Sequence, residues 1–111
     1  MEKILTFEDF SKVDLRVGTI LEVNDFPEAR KPAYQLTIDF GSLGLKKSSA
    51  QITTLYRKED LINKQIVAVV NFPKKQIAKF ISECLVLGAV DGKDVILLNP
   101  ETKVTNGSIV S

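Results

Sequence analysis

The sequence predicts an all-β domain, a small five-stranded antiparallel barrel to which short helices are added. Short stretches in it alternate apolar and polar residues with the period of two that half-buried strands show. Turns rich in glycine and proline separate these stretches. A short helical pattern stands between the third and fourth stretches, as in the OB-fold, the commonest barrel of this outline. An SH3-like barrel fits the strand count almost as well, and this intervening helix favours the OB-fold.

The first predicted elements are a short helix and a long bent strand. Thr6 can cap a helix over residues 6–13, because an acid follows three residues later and apolar residues recur at i, i+3 and i+6. Residues 15–23 then alternate as a strand does. Gly18 in the middle of this strand predicts a bend or bulge, which a closed barrel requires.

The remaining elements follow at regular intervals. Residues 65–70 form an apolar run rich in β-branched side chains, which predicts a central strand covered on both faces. The pair Asn106-Gly107 is a hairpin signal in the C-terminal tail. The other predicted strands are residues 34–40, 45–53, 85–90 and 95–98, with a helical turn at 58–62 and turns at 41–42 and 91–94.

Composition excludes several classes of chemistry. With no histidine among its 111 residues, the chain lacks a Ser-His or Cys-His relay and the usual histidine-bearing zinc sites. No phosphate-binding glycine motif is present, and the paired carboxylates lie in stretches typical of helix starts and turns. We therefore predict no enzyme activity, no cofactor and no metal.

The same composition predicts a single domain of a cytoplasmic protein. No apolar run reaches the roughly 20 residues that span a bilayer, and the N-terminus lacks the pattern of a signal peptide. The single cysteine, Cys84, excludes an internal disulfide and fits a reducing compartment. Because it lies in an apolar run, Cys84 is predicted to be a small core residue.

The net charge of +1 conceals a sorting of charge along the chain. The net charge is −4 over residues 1–28, +7 over residues 29–80 and −2 over residues 81–111. A uniformly solvated surface does not give a basic middle between acidic ends. The segment over residues 71–80 carries three lysines, two phenylalanines and no acid. We interpret it as a cationic, aromatic-bearing loop suited to a nucleic-acid phosphate and a stacked base.

Seven basic residues fall in three acid-poor places that converge on one face in an OB-fold. Any single pair is more simply explained as a solvated loop, and the three together favour a functional patch. Phe72, Phe80 and Tyr34 are candidate stacking surfaces, although each alone more often belongs to a core. The seven basic candidates are Arg30, Lys31, Lys46, Lys47, Lys74, Lys75 and Lys79.

The terminal elements predict contacts with a protein partner. The N-terminal helix carries Phe7 and Phe10 on a segment with little chain around it, and residues 104–110 form an apolar-polar tail. Terminal elements of this kind dock either on their own domain or on a neighbour. Dimerisation through them and self-docking are equally weighted alternatives.

Four segments of the chain are specific when taken together. They are VDLRVGTI at 13–20, FPEARKPAY at 26–34, KKSSAQIT at 46–53 and VNFPKKQI at 70–77. These segments resemble the CsaA family, the small export-related chaperones of bacteria and archaea, and the likeness extends from Phe7 to Gly107. CsaA proteins belong to the wider group of EMAP II-like tRNA-binding modules, which are also appended to methionyl-tRNA synthetases.

The resemblance implies a non-catalytic OB-fold homodimer whose terminal extensions, residues 1–13 and 99–111, form the interface. Phe7, Phe10, Val104 and Ile109 are the interface candidates. In the tRNA-binding modules a serine and a methionine three residues later are associated with tRNA recognition. The matching positions are Ser82, which keeps the hydroxyl, and Leu85, which keeps bulk and loses the thioether. The modules also usually have a histidine opening the segment 26–29, which is absent here.

Two functions from different classes remain open after this comparison. The sorted charge favours an RNA binder with affinity that falls steeply as salt rises, and the resemblance implies that its partner is tRNA. The CsaA resemblance implies a chaperone that binds unfolded preproteins and the secretion motor. One dimer could carry both, since basic loops and an apolar seam need not overlap.

Overall fold

The computed structural model describes residues 3–111 of the chain. Within that range it contains ten strands, two short α-helices and one 3₁₀ turn at Gly41–Leu43. The helices are α1 (Phe7–Ser11) and α2 (Lys58–Leu61). The strands are β1 (Leu15–Asp25), β2 (Tyr34–Asp39), β3 (Leu45–Ala50), β4 (Gln65–Val69), β5 (Lys75–Ile77), β6 (Phe80–Ser82), β7 (Leu85–Val86), β8 (Gly88–Asp91), β9 (Asp94–Leu97) and β10 (Ile109–Val110).

Five antiparallel strands form a nearly closed barrel in the order β3-β2-β1-β4-β7. The two ends of this path meet where the amide of Glu83 donates a hydrogen bond to the carbonyl of Lys47 at 2.7 Å. Helix α2 lies between β3 and β4, as the OB-fold requires. The predicted fold class is confirmed, and the position of α2 decides against the SH3-like alternative.

The core is built by the alternation seen in the sequence. Along β2, Tyr34, Leu36 and Ile38 are buried and their intervening neighbours are half-exposed. Phe40, at the end of β2, and Leu61, from α2, are fully buried in the same cluster. One face of each barrel strand therefore supplies the core, as hydrophobic burial on a pleated strand dictates.

The predicted irregularity of β1 occurs at a different place. The register between β1 and β2 shifts between Ile20 and Glu22, whereas Gly18 pairs regularly with Ile66 of β4. Gly18 is needed for close packing, because a Cβ there would lie 2.7 Å from side-chain atoms of both Ile38 and Phe40. A glycine within a strand can indicate either a bulge or a close approach of neighbouring side chains, and the sequence alone does not distinguish the two. At Gly18 the second applies.

Two predicted strands are shorter than expected. Strand β3 ends at Ala50, and Ile52 beyond it is buried without ladder pairing to β2. The predicted strand over residues 85–90 is divided into β7, which pairs with β4, and β8, which forms a separate ribbon with β9. The amide of Leu87 donates to the carbonyl of Val67 at 2.9 Å where the chain passes from the barrel to that ribbon.

The predicted lysine loop is largely a hairpin. Strands β5 and β6 pair from Lys75 with Ser82 to Ile77 with Phe80, around a turn in which Ala78 has a φ of 55°. Phe80 holds this hairpin against the loop after β1, since its ring lies 5.3 Å from that of Phe26. The lysines are thus carried by an ordered hairpin.

The two termini are held differently. Thr6 caps α1 by accepting the amide of Asp9 at 3.0 Å, as predicted, yet α1 buries none of its residues. The C-terminal tail docks on its own barrel, where β10 pairs with β1. Asn106-Gly107 makes a turn inside this tail, and the predicted hairpin is wrong because no strand precedes the turn to pair with β10. Residues 1 and 2 of the predicted N-terminal extension lie outside the described residues.

No helix between Lys3 and Ser111 is long and apolar enough to cross a membrane.

Candidate nucleic-acid interface

Two connected grooves lie between the loop after β1, strand β3 and the β5–β6 hairpin. The Arg30 groove, about 430 Å³, is lined by residues 28–31 and 75–77 together with Ala33, Ser49 and Gln51. The Phe72 groove, about 310 Å³, is lined by Phe72, Pro73, Lys75, Ile77, Ser82, Cys84 and Leu85 together with Ser49 and Gln51. Because four residues line both, the grooves form one track along the protein surface. Those shared residues are Ser49, Gln51, Lys75 and Ile77.

A second basic site lies on the same hairpin. Lys47, Lys74 and Lys79 line a cavity of about 340 Å³ with Phe80, Ile81 and Glu83, which we call the lysine cluster. Glu83 is the acid of this cavity, and its Oε2 lies 4.0 Å from the Nζ of Lys74. The structure therefore places six of the seven basic candidates in two cavities, the Arg30 groove and the lysine cluster, and residues of the β5–β6 hairpin line both.

The seventh candidate, Lys46, lies apart from the others. It pairs with the buried Ile38 and shares the inward face of β3 with the buried Ser48. Its neighbour Lys47 is on the opposite face of β3, because successive residues of a strand point to opposite sides. Lys46 lines neither groove and no part of the lysine cluster.

The two candidates from the tRNA-binding motif both line the Phe72 groove. The Ser82 hydroxyl accepts the amide of Ser49 at 3.2 Å and lies 3.4 Å from the carbonyl of Cys84, so its hydrogen bonds help to close the barrel. Leu85 is 42% exposed and presents an apolar surface to the groove. Ser82 thus has a structural role in joining β3 to β6, which the sequence did not reveal.

The three aromatic candidates have different environments. Tyr34 is buried, and its hydroxyl donates to the carbonyl of Tyr56 at 2.8 Å, which makes it a core residue. Phe80 packs on Phe26. Phe72 is 55% exposed and lines the groove that bears its name. Of the three, Phe72 has the most exposed ring.

Sequence reasoning missed Ser49 and Gln51, which line both grooves. Their signal was available in the alternation of the third strand, since Lys47, Ser49 and Gln51 recur at every second position opposite the buried Ser48 and Ile52. A criterion based on charge alone identifies the lysines of that strand. It omits Ser49 and Gln51, whose polar side chains can donate and accept hydrogen bonds.

The candidates for a protein interface are mostly open to solvent. Phe7 is 83% exposed, Ile109 is 68% exposed, and Val104 also lies at the surface. Phe10 is partly buried. The side-chain amide of Gln65 donates a hydrogen bond to the carbonyl of Val104 at 2.7 Å, and the amide of Val104 donates to Oε1 of Gln65 at 3.1 Å. These two bonds hold the C-terminal tail on its own domain.

The part of the chain described, residues 3–111, contains no group of three or more histidine, cysteine, aspartate or glutamate side chains placed to hold a metal ion. Burial raises the pKa of Cys84 to about 11, against the opposing effects of a hydrogen bond from Ser48 and the charge of Lys46. A thiol with this pKa is neutral near pH 7 and is a poor nucleophile. Cys84 is a core residue, as its sequence context predicted.

Comparison with known proteins places this arrangement in a family. Residues 15–109 match the family described as putative tRNA binding domain. The methionine–tRNA ligase of Pyrococcus horikoshii is 39% identical over 104 residues, 94% of this chain and 14% of the ligase. The chain thus spans about a seventh of the length of that curated relative. The chain belongs to the tRNA-binding domain family.

Within that family the chain groups with the CsaA proteins. The crystal structure of the chaperone CsaA from Bacillus anthracis str. Ames is 55% identical with a TM-score of 0.93, and the match covers 98% of this chain and all of that one. The CsaA chaperone protein of Picrophilus torridus is 58% identical with a TM-score of 0.91, over 97% of this chain and all of that one. The resemblance inferred from the four sequence segments is confirmed.

Proposed function

We propose that this protein is a non-catalytic, cytoplasmic tRNA-binding protein that holds tRNA across the two grooves and the lysine cluster. One observation carries the proposal: six basic side chains from distant parts of the sequence line cavities that the β5–β6 hairpin helps to form. Arg30 and Lys31 come from the loop after β1, Lys47 from β3, and the other three from the β5–β6 hairpin. Membership in the tRNA-binding domain family supports it.

Electrostatics gives this proposal a quantitative form. Each basic side chain that neutralises a phosphate releases a condensed counterion, which steepens the dependence of affinity on salt. If all six take part, log K should fall with log salt with a slope of about −4 to −5. The exposed lysines cost little to desolvate, so most of the binding free energy should come from this release.

The test is tRNA binding across a salt series by wild type and by Lys74→Glu/Lys75→Glu. We expect micromolar or tighter binding by wild type at low salt and its loss in the variant. The matched control is Lys64→Glu/Lys103→Glu, which makes the same change in net charge outside the three cavities. Equal losses in both variants, or no binding by wild type, would overturn the proposal.

The protein is further proposed to act as a homodimer through its terminal elements. The N-terminal segment supports this, since Ile4, Leu5 and Phe7 are each more than half exposed and α1 buries no residue. Apolar side chains clustered in this way are typical of interaction surfaces. Ile109 on β10 adds an exposed apolar side chain. Because the C-terminal tail docks on its own barrel, we expect the dimer to form by contact between N-terminal segments and not by exchange of tails.

Light scattering and sedimentation test the dimer directly. Phe7→Ser should shift the protein to the monomer with little change in folding stability, because the ring contacts little of its own domain. Val90→Ser on the β8–β9 ribbon removes a similarly exposed apolar side chain and should leave the dimer intact. A wild-type protein that sediments as a monomer at all concentrations would contradict the proposal.

A second function is favoured by the same apolar segment. The solved relatives are described as chaperones, and exposed Ile4, Leu5 and Phe7 offer surface to an unfolded chain. The proposed clients are unfolded preproteins, with delivery to the secretion motor. Suppression of aggregation by a denatured test protein, with little dependence on salt and with sensitivity to Phe7→Ser, is the expected result. Chaperoning that persists in Phe7→Ser would locate the client surface elsewhere and contradict this assignment.

A further inference from the structure

The Phe72 groove differs in chemistry from the rest of the basic face. Its lining contains no acid and one cation, Lys75, and it ends in the exposed side chains of Phe72 and Leu85. The Arg30 groove, which continues from it, holds Arg30 and Lys31 together with one acid, Glu28. Along one track the surface therefore changes from cationic to aromatic.

The backbone around Phe72 is fixed on both sides. The side chain of Asn71 accepts the amide of Asp14 at 3.0 Å and donates to the carbonyl of Lys12 at 2.7 Å. Pro73 follows and restricts the conformation of Phe72 itself. A ring that stays 55% exposed on a backbone held in this way is preorganised, so a ligand that covers it loses little entropy in ordering it.

The groove also contains polar groups beside the ring. The side chain of Gln51 is exposed and lines the groove, so its amide can donate a hydrogen bond to a ligand and accept one from it. Gln51 belongs to both grooves, as does Lys75. An aromatic face, an amide that can bond a base edge and an adjacent cation are the groups that recognise a nucleotide taken out of a helix.

We propose that the Phe72 groove binds an unpaired nucleotide of the RNA, with its base on Phe72 and its phosphate next to Lys75. The inference rests on the proposed tRNA function and names the part of the RNA that this site takes. A base within a duplex is stacked on both faces and cannot reach the ring. The groove should therefore prefer a loop or a single-stranded end over a stem. Asn71 is a positioning residue for the ring.

The experiment uses a short single-stranded RNA that carries 2-aminopurine, the same strand in a duplex, and whole tRNA. Phe72→Leu should weaken binding of the single strand roughly five- to 150-fold, the range for loss of one stacked base, with an unchanged salt slope. It should also abolish the change in 2-aminopurine fluorescence that stacking produces. Phe72→Tyr, which keeps the ring, should restore both, and Val90→Ala should behave as wild type.

The outcomes separate this inference from the broader proposal. If tRNA binds with a steep salt dependence and Phe72→Leu has no effect on any RNA, the inference fails and the tRNA function stands. If no RNA binds, both fail. Equal binding of duplex and single strand also overturns the inference, as does competition for the groove by an unfolded peptide in the absence of RNA binding.

Discussion

Lys47 and Glu83 are joined by two hydrogen bonds, one in each direction. The amide of Glu83 donates to the carbonyl of Lys47 at 2.7 Å, and the amide of Lys47 donates to Oε1 of Glu83 at 3.0 Å. The other carboxylate oxygen lies 4.0 Å from the Nζ of Lys74. Glu83 therefore stabilises the closure of the barrel and at the same time places a negative charge within the lysine cluster.

We expect Glu83→Gln to strengthen RNA binding while weakening the fold slightly. The amide oxygen can still accept from Lys47, so the loss in free energy of unfolding should be about 0.5–1.5 kcal/mol. Without the carboxylate, the charge of Lys74 is no longer partly offset by Glu83, and affinity for tRNA at low salt should rise severalfold with a salt slope steeper by up to about one. Fluorescence anisotropy across a salt series measures the affinity for tRNA and its salt slope. Glu59→Gln on α2 is the control, and equal slopes in the two variants would contradict the prediction.

Gly18→Ala should destabilise the protein without affecting its surface. A Cβ at this position would lie 2.7 Å from Cγ2 of Ile38 and from Cδ1 of Phe40, both fully buried. Overpacking of this kind costs about 1–3 kcal/mol of the free energy of unfolding. Chemical denaturation measures the loss, and Gly18→Ala/Phe40→Leu should lose less stability than the sum of the two single losses, because the smaller side chain leaves room for the added methyl group. Strict additivity of the two single effects would show that the two positions do not clash.

Strand β2 shows where sequence reasoning about this fold succeeds, whereas the bulge predicted at Gly18 lies between Ile20 and Glu22. The alternation along β2 predicted both the strand and its buried face, because a half-buried strand repeats every two residues. The hairpin of β5 and β6 escaped prediction because each strand has three residues, too few to show a period. Its turn contains Ala78 at positive φ, where a glycine or asparagine would have signalled a turn.

The sequence predicted that the basic segments of the candidate site converge, and it did not reveal that Lys46 and Lys47 lie on opposite faces of β3. The acid-poor segments identified Arg30, Lys31 and Lys75, which line one groove although more than 40 positions separate Lys75 from the other two. Lys46 and Lys47 were predicted to act together, and the pleat of β3 separates them. The alternation of β3 predicts that separation once the strand is recognised, whereas the approach of the hairpin to the loop after β1 depends on tertiary contacts such as that between Phe26 and Phe80.

Asn106→Ala should loosen the C-terminal tail. The Oδ1 of Asn106 accepts from the hydroxyl of Thr19 at 2.7 Å and from the amide of Gln65 at 2.9 Å, and both donors lose this partner in the variant. We expect a loss of about 1–3 kcal/mol in the free energy of unfolding. The amide of Gly107, which donates to the carbonyl of Val17 at 2.7 Å, should exchange its hydrogen faster. Asn99→Ala in the same tail is the control, and stability equal to that control would contradict docking of the tail in solution.

The stability of the protein should fall at high pH because of Cys84. Burial raises the pKa of this thiol to about 11 in the folded state, from an ordinary value of 9.0. Between these two values the unfolded chain loses the proton and the folded chain keeps it, so the folded state binds more protons and the free energy of unfolding decreases as pH rises. The full effect is roughly 2–3 kcal/mol, reached near pH 11.

Chemical denaturation of wild type and Cys84→Ala isolates the contribution of this thiol, since the other titrating groups are common to both proteins. The wild type should lose stability relative to the variant from pH 9 to 11 and not below pH 8. A constant difference across that window, or rapid labelling of the folded protein by a thiol reagent at pH 8, would show that Cys84 is not held as a buried neutral thiol.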